Sequence, residues 1–459
     1  MKRQTVIRLA RYGILTTFVI ILLATYRLYG FTFFWLDDFN NVYLIRREGF
    51  WQMVRHVFDP TSEFFRPLGM WVYWILYRTS GLYPLPYHLV SWTLHAVNVA
   101  LLFLLLRQAT RSHYAAGLAT LFFAFRTNFG DIYWSFANIF QLLALTFVLI
   151  GLLLYMRFGY SLKETFVLCA VYVLAIRAEE HAVVLPGIWL AYELLVRRPG
   201  FRSSLKNVQW KQLLARFSIL GVIMLWFAYF KVTSMRAADP RFPYYLDLSV
   251  LTFGRGYGWY FNALYQTQLR WGAWFIISVV LATGCAIAKN RWALFFLFFC
   301  FATLLPFVFL VNHRFELYWY MPFVGLAGML ATGFRFLQSV SLRWLHRKAA
   351  PVALSLVFVC IAAWQFAYEE RRGRIAREYG EGLAEEYRGF FRDLRSLALG
   401  TTDPMIYYTA IPRHMDEGIM VCVTQFVLER MDVDAKIVAA CPSEGMCLEF
   451  RERTLRRIH

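Results

Sequence analysis

The stretch Phe33-Phe34-Trp35-Leu36-Asp37-Asp38-Phe39 ends the first apolar run of this 459-residue chain. Two adjacent carboxylates at the mouth of a membrane helix are costly to desolvate, so one tends to hold its proton unless a cation neutralises the pair. In an apolar protein, such a pair is a place to look for a base or a metal ligand. Asp is also a favoured helix N-cap, which leaves a structural alternative for either residue.

Working outward, the chain is 59% hydrophobic, 19% aromatic and only 17% charged. Soluble domains rarely exceed about half apolar residues. Runs about as long as a bilayer is thick recur from end to end, so the expectation is an all-α polytopic membrane protein. The net charge of +19 does not point to nucleic acid, because Lys and Arg concentrate in alternate connections between the apolar runs. That is the positive-inside pattern. It predicts eleven spans, beginning at about 13–34, with the N-terminus cytoplasmic and the C-terminus extracytoplasmic, in a bacterial plasma membrane. No small-residue cleavage site follows the first run, so that span is expected to stay uncleaved.

The remaining spans are expected near 87–106, 114–125, 138–156, before Arg177, before Arg197, and near 217–234, 271–288, 292–311, 317–334 and 350–368. Residues 1–369 then form the membrane domain. Its outer loop 35–85 carries interfacial helices within 41–58 and 68–77, and a second outer loop spans 235–270. Residues 370–459 read as a small α/β tail with a charged helix, strands at 405–408 and 436–438, and a helix near 418–431. Cys441 and Cys447 are spaced to close a small disulfide loop in an oxidising compartment. Gly254-Arg255-Gly256-Tyr257-Gly258 is too short and wrongly placed for a nucleotide fingerprint, and no zinc spacing or P-loop is present.

This topology gathers the uncommon charges on one face: Asp37 and Asp38, Arg66, Asp131, Arg177 with Glu179 and Glu180, and Arg314 with Glu316. A transporter would more often carry charge at mid-span on broken helices. Charges at span ends fit an enzyme acting on a lipid-borne, phosphate-linked substrate, which needs cations for the leaving group and a carboxylate to deprotonate the acceptor. Clustered acids also allow Mg²⁺ or Mn²⁺, although nothing in the spacing demands either. His88 and His95, seven residues apart, read as packing histidines.

Phe64-Phe65-Arg66-Pro67-Leu68 and Pro86-Tyr87-His88-Leu89-Val90 through His95-Ala96-Val97-Asn98 resemble the O-mannosyltransferases related to the transmembrane and tetratricopeptide-repeat proteins. Asp131-Ile132-Tyr133-Trp134, Glu180-His181-Ala182-Val183-Val184-Leu185-Pro186 and Arg314 through Pro322 follow in the same order. The resemblance implies a GT-C fold and inverting transfer of a sugar from a polyprenyl-phosphate donor, as co-substrate, to an acceptor glycan, lipid or protein. It also implies that a first-loop Asp is the general base, Asp38 before Asp37. Arg66, Arg314, Arg177 and Arg255 are the expected phosphate contacts, supported by Glu179, Glu180 and Asp131. Two departures stand out. Glu179 occupies a position where these relatives carry Lys, so the missing cation would have to come from Arg177. The tetratricopeptide repeats are absent too, which weakens the case for a protein acceptor. An O-antigen polymerase or ligase, relying on Arg236, Arg241, Arg255 and Arg270 of the second loop, is the competing enzyme class. A lipid or glycan transporter is the competing non-enzyme class.

Overall fold

The computed structural model describes residues 34, 36–46, 48–59, 66–126, 135–197, 210–234, 245–344, 349–430 and 432–458. Three helices lead: α1 (Leu36–Ile45), α2 (Phe50–Phe58) and α3 (Pro67–Ser80). A bundle follows, made of α4 (Pro84–Thr110), α5 (His113–Ala124), α6 (Ile139–Arg157), α7 (Leu162–Ala178), α8 (Leu185–Tyr192), α9 (Trp210–Ser234), α10 (Val250–Tyr265), α11 (Trp271–Ile287), α12 (Arg291–Val308) and α13 (Pro322–Trp344). The starts are written locally. Pro67 and Pro84 occupy first helical turns, where a missing N–H costs nothing. Ser112, Ser161, Ser249 and Asn290 accept backbone N–H groups as N-caps of α5, α7, α10 and α12.

Among the described residues, four helical segments are long and apolar enough to cross a membrane: Pro84–Thr110, Phe136–Arg157, Lys211–Phe230 and Arg291–Val308. Shorter apolar helices lie at His113–Ala124 and Trp271–Ile287. The expected first span falls outside the described residues except for Phe34, and the count of eleven rests on the sequence alone. In α2, Met53 and Val57 are buried while Trp51 and Phe58 face outward, the amphipathic character expected of a helix lying in an interface.

The glycine cluster in α10 serves packing. A Cβ on Gly254 or Gly258, one turn apart, would meet Trp271 of α11 at 2.8 and 2.7 Å. One on Gly256 would sit 2.2 Å from the Val308 carbonyl oxygen of α12. Small residues at such crossings let apolar helices approach closely, which is what holds helices together where lipid is as apolar as leucine. Inside the bundle, His95 is fully satisfied. Its Nε2 meets the Ala124 carbonyl at 3.2 Å and so carries the proton, and its Nδ1 accepts from the Tyr320 hydroxyl at 2.9 Å. Asn98 donates to the same hydroxyl at 3.1 Å and accepts from Thr146 at 2.8 Å. His95 is thus a packing histidine, as its spacing suggested.

The tail begins with a 50-residue helix, α14 (Ala349–Ala398). It joins the expected last span to the charged segment without a break, so the boundary expected at 369/370 falls inside one helix. Strand β1 (Met405–Ala410), helix α15 (Glu417–Val427) and strands β2 (Asp434–Ile437), β3 (Met446–Arg451) and β4 (Thr454–Arg457) follow. The sheet order is β2-β1-β3-β4, with β1 parallel to β2 and β3, and β4 antiparallel to β3. Cys441 and Cys447 are disulfide-bonded. Among the described residues, the buried core of the tail is continuous with that of the first-loop helices. Phe39, Val42 and Ile45 of α1, Met70 and Tyr73 of α3, Leu383, Tyr387 and Phe390 of α14, and Ile406, Met420 and Leu448 belong to one continuous buried cluster.

Candidate active site

Asp37 and Asp38 occupy the first turn of α1, where the helix dipole favours negative charge. Their environments differ sharply. Asp38 is 1% exposed, and the Tyr73 hydroxyl donates to its Oδ1 at 2.6 Å. Tyr73 is itself wedged edge-on against Phe136, with ring centres 4.6 Å apart. Asp37 points the other way and reaches solvent. Enclosure by surrounding protein raises its pKa above the ordinary aspartate value; Arg66 works against that rise and Asp416 of the tail adds to it.

Arg66, directly before α3, bridges two carboxylates more than a hundred residues away in sequence, at the end of α7. Its Nη2 lies 2.7 Å from Glu179 Oε1 and its Nε 2.9 Å from Glu180 Oε2. The guanidinium also rests over the Phe140 ring at 5.4 Å. Glu179 is the C-cap of α7 and is 1% exposed. A carboxylate so deeply buried requires its counter-charge. His181 Nδ1 approaches Glu179 Oε1 at 3.7 Å, and its ring lies 5.0 Å from Phe307. Phe307 stacks on Tyr318 at 3.9 Å, and Tyr318 neighbours His313. The circle closes electrostatically, since burial and then the Arg66 charge push the His313 pKa down to about 4. The loop between α12 and α13 therefore forms one wall of the Arg66 site, with a neutral imidazole on it.

Arg177 does something else. Its Nε donates to the Val57 carbonyl at 2.8 Å, and its Nη2 donates to the carbonyls of Asp59, at 2.8 Å, and His56. It caps the C-terminus of α2, whose last carbonyls have no partner within the helix. The cation beside Glu179 is thus Arg66, and the expected substitute, Arg177, is engaged with backbone.

Arg314 donates from Nε to the Leu310 carbonyl at 3.1 Å and lies on the wall that carries His313. Arg255 stands on the exposed face of α10, and no described contact joins it to the Arg66 cluster. Arg270, at the start of α11, is exposed. Asp131, Arg236 and Arg241 lie outside the described residues. Among the described residues, no group of three His, Cys, Asp or Glu side chains has a metal-binding arrangement. Sequence reasoning missed Tyr73, His313 and Asp416 as members of this neighbourhood. For Asp416, the N-cap of α15, a local signal existed in Asp416-Glu417 before an apolar run.

Solved structures similar to the chain in fold include two of one protein. ArnT from Cupriavidus metallidurans bound to undecaprenyl phosphate matches with a TM-score of 0.50 at 13% identity, covering 98% of this chain and 93% of that one. ArnT from the same organism in the apo state matches with a TM-score of 0.52 at 14% identity, covering 94% and 87%. The fold is GT-C. No protein-family model matches the sequence, and no curated protein is similar to it. The likeness carries the GT-C architecture and does not extend to the O-mannosyltransferase grouping.

Proposed function

We propose that this chain is a membrane glycosyltransferase that moves a sugar from a polyprenyl-phosphate donor to an acceptor hydroxyl on the extracytoplasmic face, with inversion and with Asp37 as general base. The observation that carries this is the contrast between the two aspartates. Asp38 is sealed beneath Tyr73, whereas Asp37 is open, has a raised pKa and lies within reach of the Arg66 charge. A carboxylate made more basic by enclosure is better suited to removing a hydroxyl proton. In the reaction, Asp37 takes that proton while the acceptor oxygen bonds to the anomeric carbon. The bond from that carbon to the phosphate oxygen breaks, and its electron pair leaves with the polyprenyl phosphate.

Charge builds on the leaving phosphate, and preformed cations stabilise it without reorganising. Arg66 is held for this by Glu179 and Glu180. Arg314, on the adjoining wall, is the second candidate and Arg255 the third. Tyr73 and Asp38 set the position of the α1 turn that presents Asp37. The GT-C fold shared with ArnT, whose structure contains undecaprenyl phosphate, supports a polyprenyl-phosphate donor. Positive-inside charge supports a bacterial plasma membrane with the N-terminus inside, and puts residues beyond α14 outside.

The test uses membranes containing the overexpressed chain and a radiolabelled polyprenyl-phosphate sugar. Label should leave the lipid with the wild type and stay on it with Asp37→Asn. Wild-type membranes that leave all label on the lipid, in the presence of an envelope extract as acceptor, overturn the assignment.

A further inference from the structure

A cavity of about 1010 Å³ opens between the tail and the first-loop helices, away from Asp37. Arg46, from the end of α1, and Arg392 and Arg395, on α14, line it, together with the aromatic rings of Tyr77, Phe391 and Phe426. Glu429 also lines it and Asp393 stands beside Arg392, so three guanidinium groups are set against two carboxylates. Arg395 and Arg392 are exposed, and Arg392 pairs with its neighbour Asp393 at 3.0 Å. Arg46 is fixed by a 2.8 Å bond from Nη2 to Gln425 Oε1 and lies 4.3 Å from the Tyr43 ring centre. Tyr77 and Phe426, both in the cavity lining, meet edge to face at 5.8 Å.

The cavity is tied to the proposed site by two helices that run side by side in the same direction. Asp416, capping α15, is close enough to Asp37 at the start of α1 to repel its charge. Cys422 Sγ reaches Asn40 Oδ1 at 3.4 Å midway, and Gln425 meets Arg46 at the far end. The nine residues from Asp37 to Arg46 correspond to about 14 Å of helix rise. That is a length a short oligosaccharide spans.

We infer that this cavity holds the distal part of the acceptor and that the acceptor is an anionic saccharide, bearing phosphate or carboxylate groups on a chain of sugar rings. Guanidinium groups match such anions through paired hydrogen bonds, and aromatic faces and edges suit the apolar faces of sugar rings. Neither feature alone separates a saccharide from a simple anion; their combination in one recess, one helix length from the proposed base, does. The inference rests on the transferase assignment and adds the acceptor class to it.

The experiment uses the full chain in nanodiscs of zwitterionic lipid. Four probes are titrated calorimetrically: maltotriose bearing a terminal phosphate, plain maltotriose, inorganic phosphate, and a short-chain anionic phospholipid. The phosphorylated maltotriose should bind at least about tenfold more tightly than any other. Arg392→Gln combined with Arg395→Gln should weaken it about tenfold. These substitutions are at exposed positions, and an unchanged melting temperature verifies the fold. In the transfer assay the same variant should raise KM for the acceptor with kcat and donor hydrolysis unchanged. Equal binding by the variant overturns the site. Equal binding of inorganic phosphate or plain maltotriose overturns the anionic-saccharide class, and tighter binding of the phospholipid assigns the cavity to a lipid headgroup instead. Binding is read without turnover. A wild type that binds the probe but never consumes donor therefore refutes the transferase, and one that consumes donor but ignores the probe refutes the cavity.

Discussion

Exchanging each of the two aspartates for asparagine is expected to have opposite consequences. Asp38→Asn replaces a charge-assisted bond from Tyr73, at 2.6 Å, by a neutral one of similar shape. Hydrogen bonds to charged groups contribute about 1.5–3 kcal/mol and neutral ones about 0.5–1.5, so the loss is about 1–2 kcal/mol of stability. The protein should fold, melt a few degrees lower, and keep most of its transfer activity. Asp37→Asn touches a side chain open to solvent, where stability changes stay within about 0.5 kcal/mol. Its rate should fall about 10²–10⁴-fold, the usual contribution of a general base. The assays are initial rates of label transfer from a polyprenyl-phosphate sugar and melting in detergent, followed by tryptophan fluorescence. The pH profile gives a second readout. Because the Asp37 pKa is raised, the acid limb of kcat/KM should lie above the ordinary aspartate range. Asp416→Asn removes one of the causes and should move that limb to lower pH. The reasoning fails if Asp38→Asn abolishes activity at an unchanged melting temperature while Asp37→Asn retains it, or if the limb ignores Asp416.

Three further outcomes follow from contacts described above. Arg66→Gln strips the counter-charge from Glu179, which is 1% exposed, and breaking such a buried pair should cost about 3–5 kcal/mol. Adding Glu179→Gln should recover part of the lost melting temperature, and identical melting of the single and double variants would exclude the pairing as the cause. Arg177→Met should expose the carbonyls that end α2 and raise deuterium uptake in residues 50–59, lowering local protection by about 2 kcal/mol or more, while leaving undecaprenyl-phosphate binding intact. Unchanged uptake, or loss of lipid binding without it, would return Arg177 to the phosphate. Gly256→Ala places a Cβ 2.2 Å from the Val308 carbonyl and should cost about 1–3 kcal/mol, whereas Gly284→Ala, with open space around it, should not. Equal melting of the two would remove the close crossing.

Much of the site was legible because charge is conspicuous in an apolar chain. Asp37, Arg66 and Glu179-Glu180 stand out at the ends of apolar runs, and the structure pairs Arg66 with both glutamates and brings its charge to bear on Asp37. What was not legible depends on partners distant in sequence. Which aspartate is buried is decided by Tyr73, 35 residues away in another helix. The bonds from Arg177 to the end of α2 could not be foreseen, because its partners there are backbone carbonyls, which carry no residue-type signal. The boundary expected at 369/370 marks a real change from apolar to charged composition, and one helix runs through it, with Ala on both sides and no proline after Pro351. Strands β3 and β4 escaped notice because each is short and Met446–Arg451 mixes buried with charged residues. The α10 glycines are set aside as a nucleotide motif from sequence, but their packing role needs the positions of Trp271 and Val308.

The single core shared by the first-loop helices and the tail also constrains the order of events during biosynthesis. Phe39 leaves the ribosome 344 residues before Leu383, with which it is later buried. At about 5–20 residues per second, the turn bearing Asp37 waits roughly 20–70 s for the segment that packs its helix. Until then α1 has its contact with α3, through Asp38 and Tyr73, but lacks the apolar surface that α14 and the tail supply. A chain ending before Leu383 would lack the part of that buried cluster which α14 and the tail supply.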